Sequence, residues 1–227
     1  MLKPVAELYD INADRHMIHN LATDPRYAAI VKTMRARVRD WQIKTHDLGL
    51  IPESLLHRRS DGTTPFEMGV KLGDRYFATV CDRARRASDR EPANIQWLVR
   101  GLTDDDDVMR WWSAMGLVML GGDASAAQDD LKSALVDKSP IVRVAAASAL
   151  CNLQQYQTAL PVLIAALRDP TPFVRLRALN VLDRIGPHAR LAIDAIKHAT
   201  MPKGTIFPAD FPNRRCQYVS ARLAARP

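Results

Sequence analysis

The sequence predicts a mostly α-helical fold: a solenoid of stacked helix pairs, preceded by a short strand and a helix of different character. Three observations carry that prediction. Segments 102–121, 135–154 and 167–186 align, each opening on a Leu (Leu102, Leu135, Leu167) with an Asp two residues on (Asp104, Asp137, Asp169). An apolar–Arg pair follows in each, and its Arg110, Arg143 and Arg175 recur at intervals of 33 and 32 residues. After each Arg, apolar residues keep the 3.6-residue period of an amphipathic helix, as in Val142, Ala146, Ala149, Leu150 and Leu153. Finally, 47% of the 227 residues are hydrophobic and 25% charged, which suits a sizeable core and excludes gross disorder or a disulfide-stapled miniprotein. One helix pair cannot bury its own apolar face, so pairs repeating at this interval must stack.

In chain order, residues 1–50 differ in kind from the rest. Residues 6–11 predict a short strand, and 24–43 a helix opened by Asp24-Pro25, with Tyr27, Ile30 or Val31, Met34, Val38 and Trp41 on one face. A lone strand leaves its backbone unpaired, so this segment is expected to lack a neighbour. Residues 51–73 read as a linker. The repeats occupy 74–227, with a leading helix over 76–87, units at about 93–121, 125–154 and 158–186, and a partial cap over 187–227 that is interrupted between Met201 and Pro212. Between the two helices of each unit stand Thr103–Asp107, Ser139-Pro140 and Thr171-Pro172, which suit a helix N-terminus. Carboxylates there gain roughly 0.3–1 kcal/mol each from the helix dipole, so Asp104–Asp107 reads as helix-start chemistry and not as an acid site.

The net charge of +7 is lopsided: the first 150 residues are neutral, whereas 151–227 carry 11 basic residues against 4 acidic. Arg168, Arg175, Arg177, Arg184, Arg190, Lys203, Arg214, Arg215 and Arg222 could meet a polyanion, with Arg175 expected to be tied up in the repeat. No aromatic residues interleave them as a nucleic-acid stripe requires, so nucleic acid is disfavoured as a partner. Cys81, Cys151 and Cys216 form no paired motif, and Cys151 reads as a small core residue. His16 and His19 have ligand-like spacing but no third ligand nearby, so no metal and no cofactor is expected in this chain. The first ten residues hold no apolar signal core. The longest near-apolar stretch, Trp111 to Leu120, is about half a membrane span, so no membrane partner is expected.

The run Asp137, Val142-Arg143, Ala146, Leu150 resembles the HEAT-like repeat family. That resemblance implies a structural ladder between neighbouring repeats, made by Asp104, Arg110, Asp137, Arg143, Asp169 and Arg175. Trp111-Trp112 departs from the pattern, as a terminal repeat is expected to do. The N-terminal segment Glu7-Leu8-Tyr9-Asp10-Ile11, Asp14, Asn20-Leu21-Ala22, Asp24-Pro25, Tyr27, Trp41, Thr45, Asp47 and Gly49–Glu53 resembles the C-terminal end of sulfatases, in the branch of N-sulfoglucosamine sulfohydrolase-like enzymes. Residues 57–69 and Arg110–Leu117 resemble the linker and first repeat of bacterial sulfatases with HEAT-like tails. Where that family has Asp-Pro in its turn this chain has Asp14-Arg15, and a family Glu is replaced by Met17.

The resemblance implies that residues 1–50 are a remnant of the sulfatase C-terminal subdomain. Sulfatases use calcium and a formylglycine made within a C/S-x-P-x-R motif, and none of Cys81, Cys151 and Cys216 stands in one. The expectation is a truncated, non-catalytic HEAT-repeat module whose partner is a sulfatase catalytic domain or another protein. The alternative is an independent HEAT-repeat module using its basic last third on a polyanion or a protein.

Overall fold

The computed structural model describes residues 4–199 and 210–224. Eleven helices follow one another among them. The N-terminal unit holds α1 (Ala28–Lys44), then come α2 (Glu53–Arg59) and the long α3 (Pro65–Ser88). Helix pairs follow as α4 (Ile95–Gly101) with α5 (Asp107–Leu120), α6 (Gln128–Ser133) with α7 (Pro140–Asn152), and α8 (Tyr156–Ala166) with α9 (Pro172–Ile185). Last come α10 (Ile193–Lys197) and α11 (Asp210–Ala224).

The second helices pack in sequence, α3 on α5, α5 on α7, α7 on α9 and α9 on α11, and form one layer. The first helices α4, α6, α8 and α10 each lie against a second helix and form the other. Leu98, Leu117, Leu131, Leu150, Leu163, Leu167, Leu179 and Leu182 run through the whole array, fully buried. Helix ends repeat as well: Gly121, Gln154 and Gly186, at intervals of 33 and 32 residues, all take positive φ (61°, 60° and 56°). The expected C-terminal cap contributes α11, which packs on α9 and α10 and so takes the second-helix place of a fourth pair. Lys203 and most of the break expected between Met201 and Pro212 lie outside the described residues.

The expected strand over 6–11 does not form, and no strand occurs among the described residues. A side chain does the work of the missing neighbour. The Asn20 carboxamide accepts the Leu8 N–H (3.0 Å) and donates to the Ala6 carbonyl (3.0 Å), while Leu21 N–H donates to the Leu8 carbonyl (2.8 Å). Asp10 and Asp14 close the intervening turns by accepting backbone N–H groups, Asp10 from Asn12 and Ala13 and Asp14 from Ile18 and His19. The backbone is thus satisfied locally, without a sheet.

The segment expected to link the two parts is folded. Helix α2 and the first two turns of α3 lie within 51–73, and Ile51 and Leu55 are buried in the main core. Thr64 and Glu67 form a reciprocal capping box that starts α3 at Pro65. Gly73, at φ 72°, then breaks the helix direction, so its second half joins the repeats as a leading second helix.

Candidate functional site

Three features frame the candidate site: the Asp–Arg ladder, the anchorage of α2, and an apolar stripe on α1.

In the ladder each Asp folds its own turn. Asp104, Asp137 and Asp169 accept the backbone N–H two residues on, from Asp106 (3.1 Å), Ser139 (2.7 Å) and Thr171 (2.9 Å). Each Arg donates to the carbonyl of the Asp six residues before it: Arg110 to Asp104 (2.8 Å), Arg143 to Asp137 (2.8 Å) and Arg175 to Asp169. Between units, Arg110 grips the Asp137 carboxylate with two parallel bonds (2.7 and 3.0 Å), both side chains being buried. No ion pair joins Arg143 to Asp169 among the described residues, and Arg175 reaches the Ala199 carbonyl (3.2 Å).

The sequence reading missed one rung. Arg83 of α3 binds the Asp104 carboxylate (2.9 Å) and Ser113 Oγ (3.0 Å). It runs over Gly101, where a Cβ would stand 2.0 Å from its Nη1, and faces the Trp97 ring at 4.5 Å. Asp82 before it breaks the apolar–Arg pattern that marks the other three.

Anchorage of α2 was also missed, because two adjacent arginines at the end of a seven-residue helix leave no periodic trace. Arg58 and Arg59 both bind Asp107 at the start of α5, and Arg59 also binds Asp106 (2.9 Å) and the Tyr76 hydroxyl (2.8 Å). Burial opposes the Asp107 charge, but hydrogen bonds from Arg58 and Arg59 outweigh it and hold the carboxyl below its usual range. Trp112 Nε1 donates to the Leu50 carbonyl (2.8 Å), and the His57 ring stacks on Phe173 of α9 with centroids 5.1 Å apart. Residues 50–59 therefore lie across the second-helix layer. Beside them a hollow of about 190 Å³ runs between Pro52–Ser54 and α7–α9. It shares Ile141, Arg177 and Asn180 with a second hollow of about 120 Å³.

Helix α1 has no buried residue. Ile30, Met34, Val38 and Trp41, one stripe at helical spacing, are 46–60% exposed, whereas Arg39 turns inward to a bidentate pair with Asp82 (2.7 and 2.9 Å). Val5, Ile11, Met17 and Ile18 of the preceding loop are exposed too.

Other candidates hold no catalytic geometry. All three cysteines are buried, and burial raises their thiols, Cys151 to about 11. The Asp14 carboxylate accepts the His19 and Ile18 N–H groups, which hold it below its usual range, and the His19 ring lies 3.5 Å from it. Among the described residues no group of three or more His, Cys, Asp or Glu side chains could hold a metal, and no helix is long and apolar enough to cross a membrane.

Residues 128–200 match the family of HEAT repeats. That stretch covers α6 to α10, and the mostly helical fold is consistent with a HEAT-like repeat. A second likeness is short. Over 41 residues, 18% of this chain, the sequence is 49% identical to N-sulphoglucosamine sulphohydrolase of Homo sapiens. The match spans 8% of that enzyme's length.

Proposed function

We propose that the chain is the non-catalytic HEAT-repeat module of a sulfatase-family protein. In this reading the N-terminal unit seats on a sulfatase-type catalytic domain through the α1 stripe, and the repeats serve packing or partner interaction. The observation that carries it is that bare stripe: four large apolar side chains face outward in the one part of the chain whose sequence resembles a sulfatase terminus. Exposed contiguous apolar surface rimmed by charge marks a contact site. The ladder residues Asp104, Arg110, Asp137, Arg143, Asp169 and Arg175 have a structural role here, consistent with their bonds to backbone and to each other.

The test begins with the coding sequence immediately upstream. It should encode, in frame, a domain with a C/S-x-P-x-R motif, and in the extended protein the α1 amides should exchange at least tenfold more slowly than in the present chain. An upstream region without that motif, or α1 amides that exchange equally fast in both, would overturn the reading. On its own the chain should not hydrolyse an aryl sulfate.

The alternative, a polyanion-binding module, draws on the basic last third, but several of those arginines have internal work. Arg215 and Arg222 both bind the Asp183 carboxylate at 2.7 Å, and Arg175 donates to backbone carbonyls. Charges tied in this way release few counterions to a polyanion.

A further inference from the structure

We propose that the second-helix layer binds, beside α2, an extended acidic peptide that sets one aliphatic side chain between two carboxylates. This surface is separate from the α1 stripe, and the inference does not depend on the sulfatase reading.

Its floor is the 120 Å³ hollow between Trp111, Met115, Val118, Val144 and Val181. Small-molecule sites usually measure roughly 300–1,000 Å³, so this one is sized for a side-chain anchor and not for a compact ligand. Along its edge α9 presents Arg177, Asn180 and Arg184, three and four residues apart and therefore on one helix face. All three are exposed.

The two arginines at this edge make no ion pair among the described residues, although Glu53 lines the adjoining hollow with Arg177. No acidic residue lines this hollow itself. The Arg177 guanidinium lies 5.9 Å from the centroid of the Trp111 ring, and Arg184 donates to Ser148 Oγ at 2.7 Å and to its carbonyl at 3.4 Å. Seven residues of helix separate the two arginines by about 10 Å; in extended chain, where side chains alternate in face, residues i, i+2 and i+4 share one face over about 13 Å, a span that two long arginine side chains can meet. Two carboxylates at that separation would take one guanidinium each, with the aliphatic side chain entering the hollow between them.

Asn180 stands between the arginines, and the molecule itself shows what a carboxamide does to extended backbone. Asn20 brackets the chain by accepting from Leu8 N–H and donating to the Ala6 carbonyl. The same layer already holds a length of its own backbone, where Trp112 donates to the Leu50 carbonyl and Pro52–Ser54 borders the adjoining hollow. The peptide would extend that occupied strip toward the other end of α9.

The test uses the full chain and a fluorescein-labelled peptide, Ser-Gly-Asp-Glu-Leu-Asp-Glu-Gly-Ser, followed by fluorescence anisotropy at physiological salt. Arg177→Ala with Arg184→Ala should weaken binding at least tenfold, and Asn180→Ala about threefold. Replacing the peptide's Leu by Ala should cost at least fivefold. The charge-matched pair Lys138→Ala with Arg168→Ala should stay within twofold, and melting curves check that each variant folds. No binding up to millimolar peptide would overturn the proposal, as would equal losses in the two double variants. So would a heparin hexasaccharide that binds with the same arginine dependence while the Leu and Ala peptides bind alike, since that marks a polyanion surface.

Discussion

Helices α1 and α7 invert one another. Of the 13 residues of α7 ten are buried, and none of the 17 in α1 is, although both carry apolar residues at helical spacing. In α7 the apolar positions face neighbours on several sides, α5, α6, α8 and α9. In α1 the contact with α3 is made by Arg39 on Asp82, while the apolar stripe stays exposed, with Met34 and Val38 at the rim of a hollow against α3. Amphipathicity tells how many faces a helix expects to cover, not which are covered at present. A helix whose greasy side is outward within an otherwise well-packed chain is a helix short of a neighbour.

The sharpest way to test that contrast is to cut equivalent ion pairs in the two regions. Arg110→Ala leaves the buried Asp137 carboxylate without its guanidinium and should cost about 3–5 kcal/mol in urea unfolding. Arg39→Ala removes a pair of similar geometry whose side chains are 37% and 53% exposed, and should cost at most about 1 kcal/mol. Equal costs would break the comparison.

Truncating apolar side chains comes next. Leu150→Ala, fully buried, should lose about 2–5 kcal/mol. Trp41→Ala, 60% exposed, should change the stability of this chain by less than about 0.5 kcal/mol, despite the larger group removed.

A third test lies at the join between the regions. Asp107→Ala should destabilise by about 1–3 kcal/mol, because two arginines lose a buried acceptor. The carboxyl titrates below its usual range in the folded state, so its contribution is complete above the unfolded carboxylate pKa of about 4. It is lost as pH falls through the lower folded value. Asp107→Asn should therefore flatten part of the loss of stability measured below about pH 4. An unchanged acid profile would count against the α2 anchorage.

The smallest effect is a gain. Gln154 holds positive φ where Gly121 and Gly186 stand in the other units, and Gln154→Gly should stabilise by about 1 kcal/mol in thermal unfolding.

Much of the repeat array was legible because its signal is summed over three copies. The pairs α4–α5 and α6–α7 lie inside the stretches read at 93–121 and 125–154, whereas α8 begins at Tyr156, ahead of the stretch read at 158–186. What escaped depends on single side chains. Residues 6–11 read as a strand, yet one carboxamide, Asn20, supplies bonds that a neighbouring strand would have made. Arg83 was hidden by the Asp82 before it, and Arg58–Arg59 by the shortness of α2. The acids Asp106 and Asp107 were read only as helix-start residues. Asp106 does cap α5 through Val108 N–H (2.7 Å), but both carboxylates also hold the arginines of α2. Periodicity carries the packing of like units on one another and says little about a contact made once.

The crossing of residues 50–59 over the second-helix layer changes how such a stack comes apart. A linear array in which each unit touches only the next can fray from either end, one unit at a time. Here α2 is tied to the start of α5 by Arg58 and Arg59, and to α9, two units on, by His57 against Phe173. That tie closes a loop across α7, so neither flank of the loop can peel away while the brace holds. From α5 to α9 the units are therefore expected to open together, whereas α10 and α11, outside the loop, keep an end free to fray.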